Sequence, residues 1–227
     1  MIADRRREIF SVSYPLDSML AINACHKYNM PPPPSSLAGP KGDCQLKAAV
    51  LHEINSPLRI EDLSQDSPKT GEVLVEMGAA GLCASDHHIM TGTASMPLPI
   101  VLGHEGAGTV VKVGEGVTRV KPGDRCILSF VSNCGHCRLC RNGNPQLCEV
   151  NFETGPRQYD GTVRLHFGEA DVYQMGKLGV FAESIVIPQQ ACHPIPDEVP
   201  MNVAALIGCC VTTGVGAVIN SPASRPG

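Results

Sequence analysis

Apolar and polar positions along the chain fall into two textures that meet near Leu46. Residues 1–45 hold no sustained period of either kind and contain Pro31-Pro32-Pro33-Pro34 followed by Ser35-Ser36. Such a stretch favours extended backbone and buries too little apolar area to offset its ordering entropy, so it is expected to be a disordered extension outside the fold. Within it, residues 18–25 suit a helical turn or two. Cys25 and His26 are adjacent but lack partners, and are expected to bind nothing.

Beyond Leu46, short apolar runs alternate with turn residues. Residues 46–51 and 58–63 are strand-sized, and Val73, Val75 and Met77 alternate against Leu74 and Glu76 in a period of two. Residues 109–113 and 125–129 continue the pattern, with Lys121-Pro122-Gly123-Asp124 as the turn between them. Asp160-Gly161-Thr162 predicts a hairpin turn into 163–165, and 181–187 returns to strand alternation. The polar stretch 167–179 between them carries no usable signal. Two helices are predicted at 201–207 and 213–219, joined through Gly208-Cys209-Cys210, the first apolar on most sides and so expected to be buried. The sum is a mainly β fold with short helices, arranged as a partly open barrel.

Candidate chemistry gathers between Gly81 and Gly108. A thiol at Cys83, an imidazole at His104 and carboxylates at Asp86 and Glu105 are the side chains that zinc selects. If Cys83 ends a strand and 84–90 turn as a short helix, Ser85 and His88 fall three apart on one face beside the metal. Glycines around His104 and Glu105 let the backbone turn sharply and pack closely there.

Composition adds a second metal site. Among eleven cysteines, four follow the spacing Cys134-x2-Cys137-x2-Cys140-x7-Cys148, which suits four-thiolate coordination better than a disulfide framework and points to a reducing, cytoplasmic setting. The surrounding lobe, 133–150, is almost free of apolar residues, so a zinc cross-link is expected to hold it, with His136 left off the ligand set. Net charge is −4 and basic residues are scattered apart from Arg5-Arg6-Arg7, so nothing suggests a nucleic-acid or membrane-binding face and a small-molecule partner is favoured. The most apolar run, 199–219, is interrupted by Pro200, Asn202, Thr212, Thr213 and three glycines, which argues against a membrane span. Gly214-Val215-Gly216 lacks a preceding strand and a third glycine, so it reads as helix packing rather than dinucleotide binding.

At Gly81-Leu-Cys-Ala-Ser-Asp86, Gly103-His-Glu-Gly-Ala-Gly108 and Val113-Gly-Glu-Gly-Val-Thr-Arg-Val-Lys-Pro-Gly-Asp-Arg125 the chain resembles the zinc-dependent medium-chain alcohol dehydrogenases, from about Leu46 onward. The resemblance implies a GroES-like catalytic domain over 46–210 and, from 211 to 227, the start of the connection to a nicotinamide-binding domain whose strand and Gly-rich turn are expected to be missing. It implies Cys209 as the third protein ligand of a catalytic zinc with Cys83 and His104. Cys210 stands where relatives carry glycine, which leaves a swapped ligand open. Further implications are Asp86 orienting the His104 ring, Glu105 approaching the metal during ligand exchange, and Ser85 passing the alcohol proton toward His88. Two zinc ions, NAD or NADP, an alcohol or aldehyde substrate and an oligomeric complete enzyme complete that picture. Ala84 replaces the Arg or His with which many relatives touch the cofactor pyrophosphate. The competing expectation is a stand-alone zinc-binding GroES-like module with a structural or partner-binding role.

Overall fold

The structure, a computed structural model, describes residues 44–221. Cys25, His26 and most of the expected extension lie outside the described residues, but Cys44 and Gln45 already belong to the first strand. Ten strands are seen among the described residues. Five of them, β1 (Cys44–Leu51), β2 (Arg59–Gln65), β7 (Leu165–Phe167), β8 (Ala170–Gln174) and β4 (Ile100–Val101), form a closed barrel in that order. The other sheet runs β10 (Cys192–Pro194), β6 (Arg125–Leu128), β5 (Glu105–Val113), β3 (Glu72–Gly81) and β9 (Ser184–Pro188), all antiparallel.

The barrel is closed rather than partly open, and the reason is β4. It pairs antiparallel with the end of β1 (Val50 with Val101, Leu51 with Ile100) and parallel with β8 (Ile100 with Tyr173, Val101 with Gln174). β8 lies within the polar stretch that showed no signal. It is a strand all the same, because Val172 packs into the barrel and the buried Gln174 satisfies its amide by donating to the Leu178 carbonyl at 2.9 Å.

The period of two along β3 has a direct packing consequence. Val73 and Val75 are fully buried with Val110, Leu128, Ile185 and Ile187 in the core of the open sheet, while Leu46, Val50, Leu63 and Leu165 fill the barrel. Phe181 packs against both clusters. Its carbonyl accepts the Ala49 N–H at 2.8 Å, and the Glu183 N–H donates to the Lys47 carbonyl at 3.0 Å, so residues 181–183 cross from barrel to sheet. This crossing delays the start of β9 to Ser184.

The C-terminal helical run departs from expectation. α4 (Met201–Ala204), a π turn (Ile207–Val211) and α5 (Thr212–Asn220) follow one another, but only Ala204 and Ala205 are buried, and Val203, Leu206, Val211, Val215, Val218 and Ile219 are exposed. Small residues are what fits against β3 and β5, so the alanines face the sheet and the larger side chains face away. By length and composition Met201–Asn220, 20 residues at mean hydropathy 1.9 and 11% buried, is the one helix among the described residues able to cross a membrane.

Candidate metal centres

The first centre is built where β3 and β5 end side by side. Gly81 pairs with Glu105, so the chain leaving β3 through Leu82 carries Cys83 alongside His104 and Glu105 at the start of β5. Gly103 turns with a φ of +90°, and a Cβ there would stand 2.6 Å from a methyl of Val180 and 2.7 Å from the Phe181 ring. Only glycine combines that backbone conformation with that approach. Cys209 arrives from the opposite side on the π turn, which lies close enough on β6 that a side chain at Gly208 would collide with the Leu128 carbonyl. Single π turns inside helices often place functional groups.

One ligand atom each from Cys83, His104, Glu105 and Cys209 lies within 4.8 Å of the others. Two thiols, an imidazole and a carboxylate form a donor set that fits zinc. Cys209 is the member of its dipeptide that joins the group, and Cys210 is exposed. Burial, with Cys83 and Glu105 nearby, pushes the Cys209 thiol up to about 11, so that without a cation it stays protonated.

Asp86 organises this centre from beneath. It is the third residue of α1 (Ala84–Met90) and only 2% exposed. Its Oδ2 accepts the Cys83 N–H at 2.9 Å and its Oδ1 accepts the Gly103 N–H at 2.9 Å, so one carboxylate ties together the two turns that bear the ligands. Its Oδ1 also lies 3.4 Å from His104 Nδ1, an ion-pair distance without hydrogen-bond alignment. With Nδ1 turned to Asp86, Nε2 is the nitrogen left for a metal. Burial pushes the His104 imidazolium down, yet the contact with Asp86, helped by Cys83, leaves the ring above the usual histidine range. The edge of His104 meets Phe130 with ring centroids 5.1 Å apart at 79°. Nothing in the sequence pattern singles out Phe130. Ser85 and His88 are both exposed on α1, and the Ser85 hydroxyl lies 3.8 Å from Cys83 Sγ. His87 is exposed as well.

The second centre is the cysteine lobe, which carries the short helix α2 (Arg138–Arg141). Cys134, Cys137, Cys140 and Cys148 bring their sulfur atoms within 4.8 Å of one another. Backbone N–H groups point at them: Cys134 N–H to Cys148 Sγ at 3.3 Å, Cys137 N–H to Cys134 Sγ at 3.3 Å, Cys140 N–H to Cys137 Sγ at 3.5 Å and Asn151 N–H to Cys148 Sγ at 3.4 Å. Such donors stabilise thiolates. The Cys140 N–H is the main reason that the Cys137 thiol falls to about 6, while burial and the neighbouring sulfurs push Cys140 up to about 12. Four converging sulfurs with a donor shell fit a closed tetrahedral zinc site. His136 is exposed with Nδ1 on the Cys134 carbonyl at 2.9 Å and stays outside the set. Nine of the described cysteines are free thiols, and Cys44 is disulfide-bonded.

Cys137→Ser is expected to raise protease cleavage within 133–150 severalfold while the Cys83 centre keeps its metal. Limited proteolysis followed by mass analysis reads this out, and an unchanged lobe would show that the four sulfurs do not hold it together.

Barrel, sheet and two clusters of potential metal ligands define a β-barrel domain. The family profile described as the alcohol dehydrogenase GroES-like domain matches residues 69–197, and the chain belongs to that family. It is 45% identical over 171 residues to the NDMA-dependent alcohol dehydrogenase of Amycolatopsis methanolica, covering 74% of this chain and 46% of the relative. It is 42% identical over 181 residues to the putative alcohol dehydrogenase D of Mycobacterium tuberculosis, covering 79% and 49%. Among solved structures it is similar to an alcohol dehydrogenase zinc-binding domain protein from Burkholderia ambifaria (TM-score 0.74, 34% identity, 81% of this chain and 50% of that one). It is also similar to benzyl alcohol dehydrogenase from Acinetobacter calcoaceticus (TM-score 0.73, 30% identity, 81% and 50%). The chain spans about half the length of the curated relatives it matches.

Proposed function

We propose that this chain is the zinc-binding catalytic part of an alcohol dehydrogenase that oxidises alcohols to aldehydes or ketones with NAD or NADP. The observation that carries the reading is the convergence of Cys83, His104, Glu105 and Cys209 from three separate parts of the chain, in a family whose relatives are named alcohol dehydrogenases. Zinc at that centre supplies Lewis-acid chemistry, which makes loss of an alcohol proton feasible near neutral pH. Cys83, His104 and Cys209 would hold the ion in this reading, with Glu105, 2% exposed, as a further carboxylate donor beside them. Asp86 keeps the His104 ring in one orientation. Ser85 accepts the alcohol proton and passes it to His88, whose exposed imidazole hands it on to water.

The four-cysteine lobe serves folding, because its ligand shell is complete and leaves no position for substrate. The chain therefore carries two zinc ions in this proposal, and the complete enzyme is cytoplasmic and oligomeric. Ala84 offers no charge to a cofactor phosphate, so affinity for NAD or NADP rests on the remainder of the enzyme.

Elemental analysis of protein purified without chelator should give about two zinc equivalents, falling to about one in Cys83→Ala. Joined after Gly227 to the remaining part of a relative's chain, the protein should reduce NAD or NADP when given primary alcohols. Ser85→Ala should slow that reaction about 100-fold or more. A zinc-replete fusion that binds NAD but oxidises no alcohol would refute the assignment.

A further inference from the structure

Lys177 is a buried cation that the chemistry above does not use. It is 1% exposed and sits in left-handed backbone, φ 64°, just after Gly176 at φ 58°. A lysine with positive φ is uncommon, and here the turn is held by Gln158, whose fully buried amide donates to the Lys177 carbonyl at 3.1 Å. That turn aims the side chain at the segment that follows the cysteine lobe. Its Nζ donates to the carbonyls of Gly155 at 2.7 Å and Asn151 at 3.2 Å, and lies 5.4 Å from the centre of the Tyr159 ring.

The Asn151 carbonyl lies within α3 (Glu149–Thr154) and Gly155 is that helix's C-cap, so the ammonium sits toward its C-terminal end, where a cation is favoured. The start of the same helix is capped by Cys148, so one ammonium grips the far end of the element that presents the fourth thiol. Among the described residues no carboxylate pairs with Lys177; burial pushes its ammonium down to about 8, and negative charge at Cys148 would work against that. Burial pushes the phenol of Tyr159, whose ring Lys177 faces, well up. A buried ammonium without a carboxylate needs negative charge from elsewhere. Zinc(II) held by four thiolates carries two net negative charges and would provide it.

We propose that Lys177 is a positioning residue for the lobe's metal, acting both as counter-charge to a zinc tetrathiolate and as the clamp that holds α3 against it. This rests on the reading that the lobe holds zinc. The experiment uses the full chain in a Cys83→Ala background, so that the lobe is the remaining zinc site, and follows transfer of zinc to a chromophoric chelator. Lys177→Met removes charge and hydrogen bonds, Lys177→Gln keeps a donor without charge, and Lys177→Arg keeps charge. Met and Gln variants should lose zinc on the order of tenfold faster than the parent, with Arg close to it, as for other groups that support metal ligands. The Gln variant also serves if the Met variant does not fold. A Gln variant that matches the parent, or an Arg variant as fast as Gln, overturns the counter-charge role. A parent that holds no zinc in the lobe overturns both this inference and the two-zinc reading beneath it.

Discussion

Replacing Glu72 by Gln should destabilise the domain by about 3 kcal/mol, seen as a lower urea midpoint with an unchanged slope. Glu72 and Arg164 meet across 92 residues of sequence, with Arg164 Nε to Glu72 Oε2 at 2.8 Å and Nη2 to Oε1 at 2.6 Å. The arginine side chain is fully buried, and every donor on its guanidinium is engaged, the others by Asp160, Thr162 and the Val163 carbonyl. Losing the carboxylate leaves a buried cation with Asp160 alone to balance it. Breaking such a pair from one side costs about 3–5 kcal/mol, and the lower end applies because Asp160 stays 2.9 Å away. The double change Glu72→Leu with Arg164→Met should cost less than Glu72→Gln alone, since it leaves no unpaired charge. A Glu72→Gln loss below about 1 kcal/mol would show that the pair is solvated and not the internal brace it resembles.

The same cluster sets an acid limit. Burial pushes the Asp160 carboxyl up, but Lys69, Thr162 and Arg164 outweigh that and hold it well below the usual carboxylate range. Its contribution is therefore present above the unfolded-state value near pH 4 and is lost as pH falls below it, because the unfolded chain takes up the proton first. Asp160 is 39% exposed, so solvent screening keeps this contribution small beside that of Glu72.

The sequence displays what is local. Cysteine spacing over fifteen residues was enough to mark the lobe, and the alternation at Val73 and Val75 was enough to place β3, because both signals lie within one element. Closure of the barrel was hidden, since Ile100 and Val101 are too short to show a period and their partner β8 is largely polar. Arg164 looked like one more scattered base, and its partner Glu72 belongs to a distant strand. Lys177 lay in a stretch without pattern; a positive-φ lysine can be recognised only once the turn is seen. The expectation of a buried 201–207 helix failed for a physical reason. Apolar composition states that a face can be buried, and the tertiary contacts of Ala204 and Ala205 decide which face is.

Asp86→Asn should weaken zinc at the Cys83 centre about 10–100-fold while leaving the cysteine lobe loaded. Three groups depend on this one side chain: the Cys83 N–H on Oδ2, the Gly103 N–H on Oδ1, and the His104 ring 3.4 Å from Oδ1. An asparagine has one acceptor oxygen. Whichever way its amide is turned, its NH2 group faces a backbone N–H that now has no acceptor, and the cost of such a buried donor is about 1–3 kcal/mol. If the oxygen stays with Gly103, the Cys83 turn loosens; if it moves to Cys83, Gly103 and the imidazole lose their anchor. Either outcome moves a ligand, and the loss of negative charge also removes the main cause that raises the His104 ring. Competition with a chelator, read separately for the fast and slow zinc equivalents, checks the expectation. Glu105→Gln is the control that separates these effects, because it alters a carboxylate beside the metal without touching either turn. If Asp86→Asn kept both zinc equivalents at parental affinity, the carboxylate would be a helix cap alone, and the geometry of the centre would be fixed by Gly103 and the pairing of β3 with β5.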